Sequence, residues 1–307
     1  MPNIRRFRAA HGPLLGVAAS IVAAACSSST GSSPPTVPVI YFDAVSQGNR
    51  DVYSVSLDGS NLHRITTDPA DDLHPAVHGG VIYFVSFRTG KGAIFTVPTA
   101  GGSETELIGG SYTALDPAVS KTATVAYSSD ADVLPKIWVM GTSCPSGCRF
   151  EPADSGFSGA IEAGPAWSPD GTRIVYTTTR DGNAGLYVGT LGADTGSATA
   201  LLSGDGNSNV EPSWSPDGKQ VVFTSDRDTL THQSDLYLLT VATRDVKRLT
   251  TIGNVGQPSY LASGQVVFTE FSNGGPSQLA WLDPTSPSTI HPITTSGMSS
   301  ENGTGER

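Results

Sequence analysis

Five residues stand immediately ahead of a proline that recurs along the chain: His74, Asp116, Gly164, Glu211 and Gln257. In the C-terminal tail Glu301 takes the aligned place. Brought to one ring, these positions would set three carboxylates and an imidazole around a common space. Like charges so close repel unless water, a cation or a basic group offsets them. Carboxylate oxygens are hard ligands that suit Ca²⁺ better than zinc. The first expectation is a solvated acidic rim with no cofactor. The sharper alternative is a mouth that takes Ca²⁺ or a Lys/Arg-bearing segment of a partner.

The thiols are the second source of chemistry. Cys144 and Cys148 lie in Cys-Pro-Ser-Gly-Cys, between the apolar run Ile137-Trp-Val-Met140 and Arg149-Phe150. Pro and Gly are turn residues, and a disulfide clasping a hairpin loop fits an exported protein. The other reading is half of a metal site, whose second pair the chain lacks. Histidines offer less. His63 and His291 fall on outermost strands, His232 in a loop, and His74 and His78 on one strand, too far apart to share a ligand. There is no Gly-x-Ser-x-Gly elbow, P-loop, His-Glu-x-x-His or Gly-x-Gly-x-x-Gly after a strand. A non-catalytic role is expected. A propeller-type lyase or lactonase-like hydrolase, using a cation at the channel mouth, is the alternative.

The elements that must position these residues repeat. Pro165-Ala-Trp-Ser-Pro-Asp-Gly171 returns as Pro212-Ser-Trp-Ser-Pro-Asp-Gly218, with weaker copies from Pro75, Pro117 and Pro258. Successive prolines are 42, 48, 47 and 46 residues apart, a period in the range of repeat architectures. Within residues 211–257 the pattern reads as Glu211-Pro-Ser-Trp-Ser215, a Ser-Pro-Asp-Gly turn, Gln220–Ser225, a polar loop, Asp235–Thr240 and Val246–Thr250. Four short strands per unit, without helical periodicity, predict an all-β, six-bladed β-propeller of four-stranded blades. The front unit, from Val39, lacks an innermost strand. The tail 298–304 is expected to supply it, with Thr36-Val37-Pro38 as the competing donor, so that both chain ends close the ring and no edge is left open. Val77, Val119, Trp167, Trp214 and Tyr260 follow each proline by two and are read as packing between blades rather than as a ligand cage.

Residues 1–25 read as a leader: Arg5, Arg6 and Arg8, then an apolar run from Pro13 to Ala25 too short to span a bilayer comfortably. Ala23-Ala24-Ala25 ahead of Cys26 resembles the bacterial lipobox, which implies cleavage before Cys26 and lipid on its thiol. Ordinary secretion, with cleavage near the alanines, is the other reading. Residues 26–36 then form a lipidated cysteine and a Ser/Gly/Pro tether, and 37–307 the propeller. The chain has 18 basic and 28 acidic residues, a net charge of −10. Three of the arginines lie in the leader, and no Lys/Arg cluster remains beyond it, so nucleic acid is not an expected partner.

Ser168-Pro-Asp-Gly171 and Ser215-Pro-Asp-Gly218, with Phe223-Thr-Ser-Asp-Arg227, Arg248-Leu-Thr250 and Arg64-Ile-Thr66, resemble the WD40-like repeats of TolB-type six-bladed propellers. The resemblance covers roughly residues 37–300. It implies a protein-interaction or ligand-binding module of the cell envelope, on the periplasmic or extracellular face of a membrane and held there by the lipid anchor alone. The family's N-terminal α/β domain is expected to be missing. No catalytic residue carries over.

Overall fold

The computed structural model describes residues 37–46, 48–141, 144–149, 159–192, 198–228, 233–272, 274–294 and 298–306. For Ser46 and 144–149 it describes the backbone only. Cys26 and the leader lie outside the described residues.

Runs such as Val81-Ile-Tyr-Phe84 and Val221-Val-Phe223 are β-branched and aromatic, and they form the second strands Val81–Ser86 and Gln220–Ser225. Six four-stranded antiparallel sheets result. Their innermost strands are Ser299–Gly305, Asp72–His78, Ala114–Val119, Glu162–Trp167, Asn209–Trp214 and Val255–Tyr260, for blades one to six. Each innermost strand touches that of the next blade, and the sixth touches the first, so the ring is closed.

Blade one takes its innermost strand from the tail: Ser299–Gly305 pairs antiparallel with Val39–Ser46. The backbone is close at this seam. A Cβ on Gly303 would stand 2.8 Å from Val267 Cγ1 of blade six, which is why glycine occupies the place that proline holds in the other blades.

The core is divided among the blade interfaces. Ile40, Phe42 and Leu57 of blade one pack on Leu261, Val267 and Leu279 of blade six. Trp214 of blade five packs among Ala166, Val175 and Leu186 of blade four, and Trp167 among Ala126 and Ile137 of blade three. Trp167, Trp214 and Tyr260 are all buried, as core packing requires.

In blades three to six the turn after the innermost strand is closed by a backbone hydrogen bond. In blade four Gly171 N donates to Ser168 O at 2.8 Å with Gly171 at φ 71°. Asp170 accepts from Ser168 Oγ and Thr172 N, and these bonds hold its carboxyl down at about 2. Blade three has no such motif, yet Ala123 N donates to Ser120 O at 2.9 Å with Ala123 at φ 58°. Asn209-Val210 and Ser213-Trp214 pair with the neighbouring strand, and the register shifts between them. The same shift recurs at Leu73/Ala76, Leu115/Ala118, Ala163/Ala166 and Gly256/Ser259. Every innermost strand is thus bulged at one height, and a bulged residue leaves its backbone groups outside the ladder.

Candidate functional site

The residue at each bulge is left-handed. His74 and Asp116 have φ 50°, Glu211 56°, Gln257 54°, Asn302 56° and Gly164 58°. A side chain pays for that backbone conformation in strain, and five of the six positions carry one. All six line a cavity of ≈ 260 Å³ bounded by all six innermost strands. Its walls run from those bulges toward the C-terminal ends of the strands. His74, Asp116, Glu211 and Gln257 come together there as the sequence predicts.

Glu301 does not. The ladder pairs Glu301 with Asp43 and Thr304 with Tyr41, so Asn302 stands at the bulge and faces the cavity. Glu301 projects instead to Arg50, Oε1 to Nη2 at 2.6 Å. The expected position is off by one residue, and one residue reverses the face of a strand.

The ring side chains do a structural job across blade boundaries. Glu211 Oε2 accepts from Gln257 N of the next blade at 2.7 Å and from Thr224 Oγ1 at 2.7 Å. Gln257 Oε1 accepts from Asn302 N at 3.1 Å and from Thr269 Oγ1 at 2.7 Å. In blade one the relay passes through Asp43, whose Oδ1 accepts from Asn302 Nδ2 at 2.7 Å and from His74 N at 3.1 Å. His74 Nδ1 bonds Asp116 Oδ1 at 2.9 Å, and Asp116 also accepts from Ser128 Oγ and the Gly164 backbone. Each acceptor thus holds a backbone N–H, or in His74 a ring nitrogen, of the adjoining blade. The boundary between blades four and five is the exception, because Gly164 has no side chain to offer.

Charge in the ring is balanced locally. Burial disfavours the imidazolium of His74, but its bond to Asp116 and the carboxylates of Asp43 and Glu211 outweigh this and raise its pKa. Burial alone would raise Asp116; the His74 bond reverses that and lowers it. Asp43 is fully buried, and burial raises its pKa against the pull of His74 and Arg50. Among the described residues no three His, Cys, Asp or Glu side chains come together in a group able to hold a metal. Asp116 Oδ1 and Oδ2 and Glu211 Oε2 each hold a hydrogen-bonding partner.

The loops between second and third strands, and those joining blades, share the end of the ring at which the innermost strands of blades two to six begin. They carry Asp68, Asp71, Asp130, Asp132, Asp205, Asp226 and Asp228. Their cations are engaged: Arg88 with Asp72 and Glu104, Arg227 with Asp205, and Lys91 Nζ on Ser111 O. The same loops expose Phe87, Val133, Ile161 and Ile252, Val133 at 91% and Ile252 at 53%. Neither the loop surface nor the blade-to-blade bonding is legible in a single repeat.

A closed ring of six four-stranded blades around a polar cavity defines a six-bladed β-propeller. The family described as the TolB beta propeller domain matches residues 105–304, more than half of the chain, and the chain belongs to it. The protein TolB homolog of Chlorobium chlorochromatii is 25% identical over 143 residues, 46% of this chain but only 31% of that relative's length. The crystal structure of TolB from Acinetobacter baumannii superposes with a TM-score of 0.73 at 18% identity, covering 88% of this chain and 67% of that one. A puromycin-hydrolyzing peptidase of Mycobacterium tuberculosis superposes at 0.55 with 14% identity, covering 83% of this chain and 44% of the peptidase. At such identities the superpositions show the fold alone.

Proposed function

We propose that the chain is a protein-interaction module of the cell envelope, which docks a Lys/Arg-bearing segment of a partner on the acidic end of its ring. The observation that carries this is the coincidence, on loops at one end of the ring, of those seven aspartates with exposed apolar side chains. Apolar residues supply contact area and the carboxylates select a basic partner and speed its arrival. Charge reversal at Asp130 and Asp132 (to Lys) should weaken partner capture in a salt-sensitive way. Leu62→Asp and Leu191→Asp, in loops at the other end, should not. Equal loss from both ends would refute the choice of surface.

The module is exported and held at a membrane by lipid on Cys26, with 26–36 as tether and 37–307 as propeller. Support comes from the leader's arginines, its short apolar run and Ala-Ala-Ala-Cys. Cys26→Ser should move the protein to the wash fraction of isolated membranes; retention there would contradict the anchor.

Cys144 and Cys148 form a disulfide in the exported chain. Their side chains lie outside the described residues, but the backbone register favours closure. Cys144 pairs with Gly141 and Cys148 with Val139. The four steps from Cys144 to Cys148 therefore span two steps of the partner strand, roughly 6.6 Å, within reach of a disulfide. Intact mass after alkylation without reductant should show both thiols blocked to the reagent.

A further inference from the structure

The C-terminal ends of the innermost strands enclose a second cavity, of ≈ 150 Å³, unlike the first in chemistry. Val77, Val119, Trp167, Trp214, Tyr260 and Leu261 line it, so its walls are apolar and largely aromatic. The turns after those strands form its rim. At the second position of the turn blades four and five place Pro169 and Pro216, and blade six Ala262; blade three places Lys121. The Lys121 stem lies along the turn of blade four, where a Cβ on Gly171 would meet Cγ at 3.4 Å and Cε at 3.5 Å. The stem thus runs beside that turn, at the rim. Its ammonium has no ion pair or hydrogen bond among the described residues, while the arginines of the opposite end are tied to carboxylates. His78 also stands at this rim, and no side-chain hydrogen bond ties its imidazole among the described residues.

A dry cavity of this size accommodates one six-membered ring. Apolar walls with a few polar groups at the mouth are the usual form of a small-ligand site. We propose that this cavity binds a single-ring or branched apolar group carrying a carboxylate, the apolar group between the aromatic walls and the carboxylate at Lys121. The same chemistry is offered by a free small acid and by the C-terminal residue of a polypeptide. The site lies at the opposite end of the ring from the proposed partner surface, and neither depends on the other.

The test uses the exported chain, with tryptophan fluorescence as readout and no partner protein present. The probes are 3-phenylpropionate for the free acid, a short peptide ending in phenylalanine for the polypeptide source, and the amide of each. Saturable binding of an acid is expected, weaker for its amide. Tighter binding by the peptide than by the free acid would assign the polypeptide source, and the reverse the free acid. Lys121→Gln, an exposed position that leaves the fold intact, should remove a preference of roughly two- to fivefold for acid over amide. Ala262→Trp should fill the mouth and abolish binding. No saturable response to either acid up to about 10 mM, or binding with equal strength by acid and amide in the unmodified protein, would overturn the proposal. So would binding untouched by both substitutions.

Discussion

Glu211 shows what the ring residues contribute singly. One carboxylate oxygen receives both the Gln257 N–H and the Thr224 hydroxyl. Glu211→Ala should leave that backbone N–H without a partner at a blade boundary, which costs about 1–3 kcal/mol. Glu211→Gln keeps an oxygen in place and should cost less than half of that; urea unfolding of the two variants measures the difference. His74 links the ring to pH. Its pKa in the fold is raised above 6.5, because the Asp116 bond and the carboxylates of Asp43 and Glu211 outweigh the effect of burial. A base with a raised pKa stabilises the fold fully below its unfolded value and loses that contribution as pH rises through the folded one. Unfolding midpoints should therefore fall as pH rises above about 6.5 and through the raised folded value, and His74→Asn should flatten this fall. Most of the ring was legible from the residue preceding each proline. Its sixth member was not, because the tail has Gly303 where the motif has proline, and without that marker Glu301 and Asn302 could not be told apart.

Strands two and three of each blade could be read from their β-branched and aromatic runs, and the turn from Ser-Pro-Asp-Gly. The bulge could not, since it appears only when the innermost strand is set against its neighbour. It explains why residues as different as His74, Asp116, Glu211 and Gln257 occupy one left-handed position: each brings an oxygen or nitrogen to the next blade. Gly164 breaks this pattern. A Cβ at Gly164 would have no atom within 4 Å, so space is free for a side chain. Asparagine enters the left-handed region readily and alanine does not. Gly164→Asn can also reach the backbone of blade five in the way Gln257 reaches Asn302. It should be more stable than Gly164→Ala by about 1 kcal/mol, read from chemical unfolding. Equal stability would mean that the blade boundary gains nothing from such a side chain.

At the scale of the whole molecule, ring closure by the tail turns six weakly similar repeats into a body with two unlike ends. One end carries the loop aspartates and the exposed Phe87, Val133, Ile161 and Ile252. The other holds a smaller apolar cavity with Lys121 at its rim. The number of blades followed from the proline period. The difference between the ends did not, because it arises from loops that each repeat writes differently. The claim that matters most is that the acidic end is the docking surface for a partner. A photoreactive amino acid placed at Val133 and at Ile252, compared in living cells with the same residue at Leu62 and at Leu191, tests it directly. The account predicts that Val133 and Ile252 crosslink to one and the same envelope protein and that Leu62 and Leu191 do not. Crosslinks to that protein from Leu62 or Leu191 alone, or none from the acidic end, would contradict it.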